Sequence, residues 1–83
     1  IGQNIGELIK ADLEVEYEAV PYLKECIQSA EKEQDYVSRD LFATILASEE
    51  HHIDWLETQN QLLEKLGEQN YLQSQIDADK SPE

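Results

Sequence analysis

Hydrophobic residues recur every three or four positions along two long segments of the chain, as on one face of an α-helix. The first segment runs from about Ile5 to Glu31, a polar connection covers residues 31–35, and the second segment ends near Leu66. The apolar positions are Ile5, Leu8, Ile9, Ala19, Val20, Leu23, Ile27 and Ala30, then Leu41, Ile45, Leu56, Leu63 and Leu66. Because so short a connection makes neighbouring helices run antiparallel, the pattern predicts an all-α helical hairpin.

Residues with strong preferences for helix ends support these boundaries. Asn4 followed by Glu7 is typical of a capping box, and Asp35 or Ser38 is expected to cap the second helix. Gly67 suits the position immediately after that helix.

Two stretches are less regular. Pro21 lacks a backbone donor and crowds the preceding turn. The apolar positions of each segment form a line along one helix face, which we call its stripe. The first stripe resumes in phase after Pro21, so we expect a kink or local bulge between Tyr17 and Pro21. The alternative is two shorter helices with a break near Ala19. A short third helix is predicted over residues 70–76, followed by a solvated, disordered tail over residues 77–83.

Size and composition limit what the chain can do. Its 83 residues make one domain at most, near the lower limit for a self-sufficient core, so we expect a partner or a metal. The net charge of -13 disfavours nucleic acid and anionic membranes as partners, and no apolar run approaches the roughly 18 residues of a membrane span. A single cysteine, Cys26, favours a reducing compartment, the cytoplasm. Because methionine is absent, we interpret the chain as a processed or trimmed product, or as a piece of a longer protein.

Three polar residues lie on the stripes at positions where apolar residues are expected. Glu16 interrupts the first stripe, and Glu49 and His52 interrupt the second. The connection centres near residue 33, which lies 17 residues after Glu16, 16 before Glu49 and 19 before His52. At about 1.5 Å rise per residue, the three side chains are expected at one height in the hairpin, facing the same core.

Two carboxylates and an imidazole directed into a core favour a metal site. Positions i and i+3 share a helix face, so Glu49 and His52 can bind adjacent points in space. Di-iron carboxylate bundles take a Glu from each of two helices and a Glu-x-x-His from each of the other two. This hairpin offers half of that set. The alternatives are a buried Glu–His hydrogen bond without metal, or a stripe that faces solvent.

Three neighbouring residues are weaker candidates for a role at the metal site. Asp12, one turn before Glu16, either orients a ligand or is a surface acid. Trp55 follows His52 by three residues and either packs there or relays an electron near a redox metal. His51, about 100° around the helix from His52, is expected to face away.

Several stretches of the chain resemble sequence motifs of a known family. They are residues 48–57 (Ser-Glu-Glu-His-His-Ile-Asp-Trp-Leu-Glu), residues 35–40 (Asp-Tyr-Val-Ser-Arg-Asp), Asp12-Leu13 with Glu16, and Leu66-Gly67 with residues 70–76. On these residues the chain resembles the carboxyl-terminal half of bacterioferritin subunits, of the ferritin-like di-iron family. The resemblance covers residues 1–76. It implies that they form half of a ferritin-like four-helix bundle, completed by a partner chain.

The resemblance also implies an activity. Bacterioferritins store iron after oxidising Fe(II) with dioxygen or peroxide at a di-iron ferroxidase centre, and they assemble as homo-oligomers into a 24-subunit shell. The implied iron ligands and catalytic residues are Glu16, Glu49 (as the bridge) and His52, with Asp12, Asp54 and Trp55 as secondary candidates. Three further ligands would come from the chain's own amino-terminal half or from a second copy. Haem is implied only if a methionine-bearing first half is present.

Two other functions fit the same residues. One is a non-enzymatic helical assembly module in which Glu49 and His52 are hydrogen-bonded and metal-free. The other is a homodimeric metal-binding bundle without a storage role.

Overall fold

Three α-helices and no strand make up residues 5–79, the part of the chain that the computed structural model describes. α1 covers Ile5–Lys32, α2 covers Tyr36–Leu66 and α3 covers Glu68–Asp79. α1 and α2 pack along each other as an antiparallel hairpin, and α3 packs against α2. The predicted all-α hairpin with a short carboxyl-terminal helix is confirmed. None of these helices is both long and apolar enough to cross a membrane.

The ends of α2 are formed by the residues that the sequence indicated. The Asp35 carboxylate accepts hydrogen bonds from the Ser38 hydroxyl at 2.6 Å and from the Ser38 backbone N–H at 3.1 Å. Both bonds lower the pKa of Asp35, the hydroxyl bond most strongly. Gly67 has φ 79°, and its N–H donates to the Leu63 carbonyl at 2.8 Å. The predicted cap at Asn4 lies outside the described residues.

Of the two less regular stretches, the first agrees with the expectation of an unbroken helix and the second differs from expectation. α1 is α-helical on both sides of Pro21, so the alternative of two shorter helices is wrong. The lost hydrogen bond is tolerated because packing along α2 stabilises the helix on both sides. A kink there stays a prediction. α3 begins directly after Gly67 and continues further than predicted, so residues 77–79 are helical and do not belong to a tail. Residues 80–83 lie outside those described.

The core of the hairpin lies at the end away from the turn, which we call the core end. Ile9, Leu13 and Leu56 are buried there, and Leu56 is only 2% exposed. The partly buried residues packed against them are Ile5, Ile53 and Leu63. Leu13 was absent from the predicted stripe, although it lies four residues after Ile9 and continues the same face.

Several residues predicted for the core are exposed instead. Leu8, Leu41, Ile45 and Leu66 are each 38% exposed or more. Two helices contact each other along a narrow seam, so the flanks of a wide apolar stripe stay open until further helices cover them. The stripe was correctly read as one helix face, but most of that face is not enclosed by this hairpin.

Candidate metal centre

Glu16, Glu49 and His52 meet between α1 and α2, about halfway along both helices. The Nδ1 atom of His52 lies 3.4 Å from Oε2 of Glu16. The Glu16 side chain is 14% exposed, and its Oε2 atom is buried without a hydrogen-bond partner among residues 5–79. Glu49 is partly buried and shares a hydrogen bond with Glu16. The structure therefore brings together the three residues that the spacing placed at one height.

The electrostatics of this cluster favour a positive charge. The hydrogen bond with Glu16 raises the pKa of Glu49, and loss of solvation and repulsion from Glu16 act in the same direction. The positive form of His52 opposes this shift. Repulsion from a neighbouring carboxylate makes the charged form of Glu49 less favourable. A cation bound between the two side chains would remove that repulsion.

The three secondary candidates differ in their position: Trp55 lies against His52, whereas Asp12 and Asp54 are exposed acids. The ring of Trp55 stacks against that of His52, with centroids 6.3 Å apart and planes at 27°. Asp12 and Asp54 are exposed. Asp54 lines a groove of about 420 Å³ together with Tyr17, and none of the three central residues lines it. Trp55 is thus the secondary candidate with a ring contact to the candidate centre.

The three central residues do not form a complete metal site by themselves. Within residues 5–79, no group of three or more His, Cys, Asp or Glu side chains is arranged to hold a metal ion. His51 and Glu50 are exposed, as expected for positions beside the stripe. His52 is exposed as well: its side chain was predicted to face the core, but it is 50% exposed because it lies at the edge of the contact between the two helices. Glu16, Glu49 and His52 converge, and their role as ligands stays a prediction.

One contact beside the centre was not anticipated from the sequence. The Tyr17 hydroxyl donates to Oε2 of Glu57 at 2.5 Å and so joins α1 to α2. This bond, more than desolvation or the carboxylate charge, raises the pKa of Tyr17. The two residues are off the stripes and unequally distant from the turn. They meet because side chains lean toward the amino terminus of their own helix, which here brings them together.

The family of the chain follows from comparison with known proteins. Residues 1–66 match the ferritin family model, described as a Ferritin-like domain. The chain belongs to the ferritin-like family.

Among its relatives are proteins named bacterial ferritin and bacterioferritin. The chain is 52% identical to "Bacterial ferritin" of Synechocystis sp. over 77 residues, which cover 92% of this chain and 49% of the relative. It is 48% identical to "Bacterioferritin" of Streptomyces coelicolor over 77 residues, covering 93% and 46%. It is 52% identical to "Bacterioferritin" of Brucella melitensis over 71 residues, covering 86% and 44%. The resemblance is confirmed, and the chain spans about half the length of the curated relatives it matches.

Proposed function

We propose that this chain supplies half of a di-iron ferroxidase centre in a bacterioferritin-like iron-storage protein. The observation that carries the proposal is the buried Oε2 atom of Glu16. It lies 3.4 Å from His52 Nδ1, beside Glu49, and has no hydrogen-bond partner among residues 5–79. A carboxylate oxygen withdrawn from water without a partner is unfavourable. A divalent cation bound between the three groups satisfies it.

The donor set suits iron, which carboxylates and imidazole bind well. In this proposal Glu49 would bridge two cations, while Glu16 and His52 would each hold one. Iron is the substrate at this centre: each Fe(II) loses one electron, which dioxygen or peroxide gains, and the ferric product is stored inside a shell of subunits. The carboxylates stabilise the added positive charge, which favours oxidation.

The activity requires a second half-bundle, because one hairpin holds only three of the six ligands of such a centre. That half is either the chain's own amino-terminal half or a second copy. Haem binding is proposed only with a methionine-bearing first half, and a cytoplasmic location stays a prediction.

The four consecutive residues 49–52 allow a matched test. In the assembled protein, Glu49→Ala and His52→Ala are each expected to lower the rate of Fe(II) oxidation at least about 100-fold. This is more than the loss expected when a residue that only hydrogen-bonds to a metal ligand is removed. Their neighbours Glu50→Ala and His51→Ala, which remove the same groups from exposed positions, are expected to keep the parent rate. The rate is measured from the absorbance of ferric iron under oxygen.

A parent-like rate in both ligand variants would overturn the proposal. Elemental analysis gives a second readout. If the purified protein holds no Fe, Zn or Mn, and added Fe(II) does not stabilise it, the metal-free assembly module is favoured instead.

A further inference from the structure

A hydrogen bond between side chains joins the two long helices directly beside the candidate metal centre. The Tyr17 hydroxyl in α1 donates to Oε2 of Glu57 in α2 at 2.5 Å. Tyr17 follows Glu16 in the chain, and Glu57 comes five residues after His52. Tyr17 is 48% exposed and lines the groove of about 420 Å³, so the bond lies at the edge of the contact between the helices. We call Tyr17 and Glu57 the cross-helix pair.

The cross-helix pair slants along the hairpin. Tyr17 lies 16 residues before residue 33, at the centre of the turn, and Glu57 lies 24 residues after it. At about 1.5 Å rise per residue, this difference separates their Cα atoms by about 12 Å in height. The side chains span it because Tyr17 leans away from the turn and Glu57 leans toward it. When α1 slides along α2, a slanted connection changes its length, whereas a perpendicular one hardly does. The pair therefore opposes sliding.

The same bond opposes rotation of α1 about its own axis. Tyr17 lies about 100° around the helix from Glu16. A rotation that turns the Glu16 carboxylate away from α2 therefore also moves the Tyr17 hydroxyl and breaks its bond. Glu16 needs such support, because its charged form and that of Glu49 repel each other. Groups that act together at a site must be held within about 0.5 Å of their working positions, which is less than the rise of one helical residue.

We propose that Tyr17 and Glu57 are positioning residues for the candidate metal centre. Their hydrogen bond fixes the height and rotation of α1 against α2 and so keeps Glu16 facing His52. The inference rests on the proposed function, because it assumes a metal bound by Glu16, Glu49 and His52. Neither member of the pair is a ligand, since the hydroxyl and the carboxylate bind each other. A bond to a charged acceptor is of the stronger kind.

The test measures Co(II) binding by the assembled protein. Co(II) is the neighbour of Fe(II) in the affinity order of divalent metals, and it leaves oxidation out of the measurement. Its visible absorption bands report the amount bound and the geometry of the ligands. Tyr17→Phe keeps the ring and removes the hydroxyl. We expect it to weaken Co(II) binding about 10-fold, the lower end of the range for residues that support a metal ligand, and to change the bands.

Changes on the α2 side test the bond from its acceptor. Glu57→Leu removes the acceptor and is expected to weaken Co(II) binding as much as Tyr17→Phe does. Glu57→Gln keeps an oxygen that accepts from the Tyr17 hydroxyl, so we expect an affinity within about 3-fold of the parent. Tyr22→Phe is the matched control in α1, where Tyr22 is 66% exposed, and is expected to keep the parent affinity and bands.

A bond that only stabilises the hairpin gives a different result. In that case Tyr17→Phe lowers the free energy of unfolding, but the folded protein binds Co(II) with the parent affinity. The titrations are therefore made where circular dichroism shows each variant to be folded. Parent affinity in either Tyr17→Phe or Glu57→Leu would overturn the positioning role. A loss in Glu57→Gln as large as that in Glu57→Leu would also contradict it, because the charge and not the bond would then matter.

Failure of the positioning role and failure of the proposed function are distinguishable in the same titrations. If His52→Ala loses Co(II) binding while Tyr17→Phe and Glu57→Leu keep the parent affinity, the proposed function stands and the positioning role is wrong. If the parent binds no Co(II), or His52→Ala binds it as tightly as the parent, both are wrong.

Discussion

The two ends of the hairpin are held together in different ways. At the core end, Leu56 is buried, and the Tyr71 hydroxyl donates to Oε1 of buried Gln59 at 2.7 Å, which fixes α3 against α2. At the turn end the polar contacts are exposed: Asp35 caps α2, and Arg39 pairs with an α1 glutamate at 3.1 Å. The larger apolar cluster forms at the end where a third helix adds surface. At the turn end Ala30 is buried, whereas Leu41 and Ile45 stay exposed, and the candidate metal centre lies between the two regions.

The largest expected effect on stability comes from a substitution at the core end. Leu56→Ala is expected to lower the free energy of unfolding by about 2–5 kcal/mol, because it removes buried methyl groups and leaves a cavity. Leu41→Ala removes the same group from a site that is 58% exposed, and we expect a change within about 0.5 kcal/mol. Urea unfolding followed by circular dichroism, at a dilution where the chain is monomeric, checks both. Equal losses would mean that the two ends do not differ in packing.

A smaller effect is expected where α3 closes the core. Tyr71→Phe keeps the ring but removes the donor to Gln59, leaving a buried amide oxygen unpaired. We expect a loss of about 1–3 kcal/mol in the free energy of unfolding. Tyr36→Phe is the matched control at the turn end, where Tyr36 is exposed, and is expected to change stability by less than about 0.5 kcal/mol. A neutral Tyr71→Phe would show that α3 is held by apolar contacts alone.

The smallest effect concerns the cap at the turn end. The pKa of Asp35 is lowered in the folded chain, so its stabilising contribution is complete above the unfolded value of 3.8 and disappears as the pH falls through the lower folded value. Parent and Asp35→Asn are therefore expected to differ in unfolding free energy at pH 7 and to converge as the pH falls below 3.8. Denaturant unfolding at a series of pH values measures this difference. A difference that stays constant with pH would mean that the charge of Asp35 contributes nothing to the cap.

Much of the local structure could be predicted because its causes lie within a few residues. Asp35 and Gly67 end helices through their own backbone and side-chain chemistry, and the structure uses both as expected. The sequence predicted that Glu16, Glu49 and His52 lie at one height along the hairpin, because the rise per helical residue and the short turn fix how far each lies from the turn. The length of α3 was missed, because residues 77–79 show no hydrophobic periodicity and are helical as a continuation of the preceding turns.

The sequence by itself determined the helices, their antiparallel order, the family and the three residues that converge at the centre. These depend on periodicity, capping and the length of the turn, all of which are local or counted along the chain. Only the tertiary structure decided which half of the stripe is buried, that Trp55 stacks on His52 and that Tyr17 reaches Glu57. Those contacts depend on the lean of side chains across two helices and on the surface that a third helix adds, which spacing along the chain does not specify.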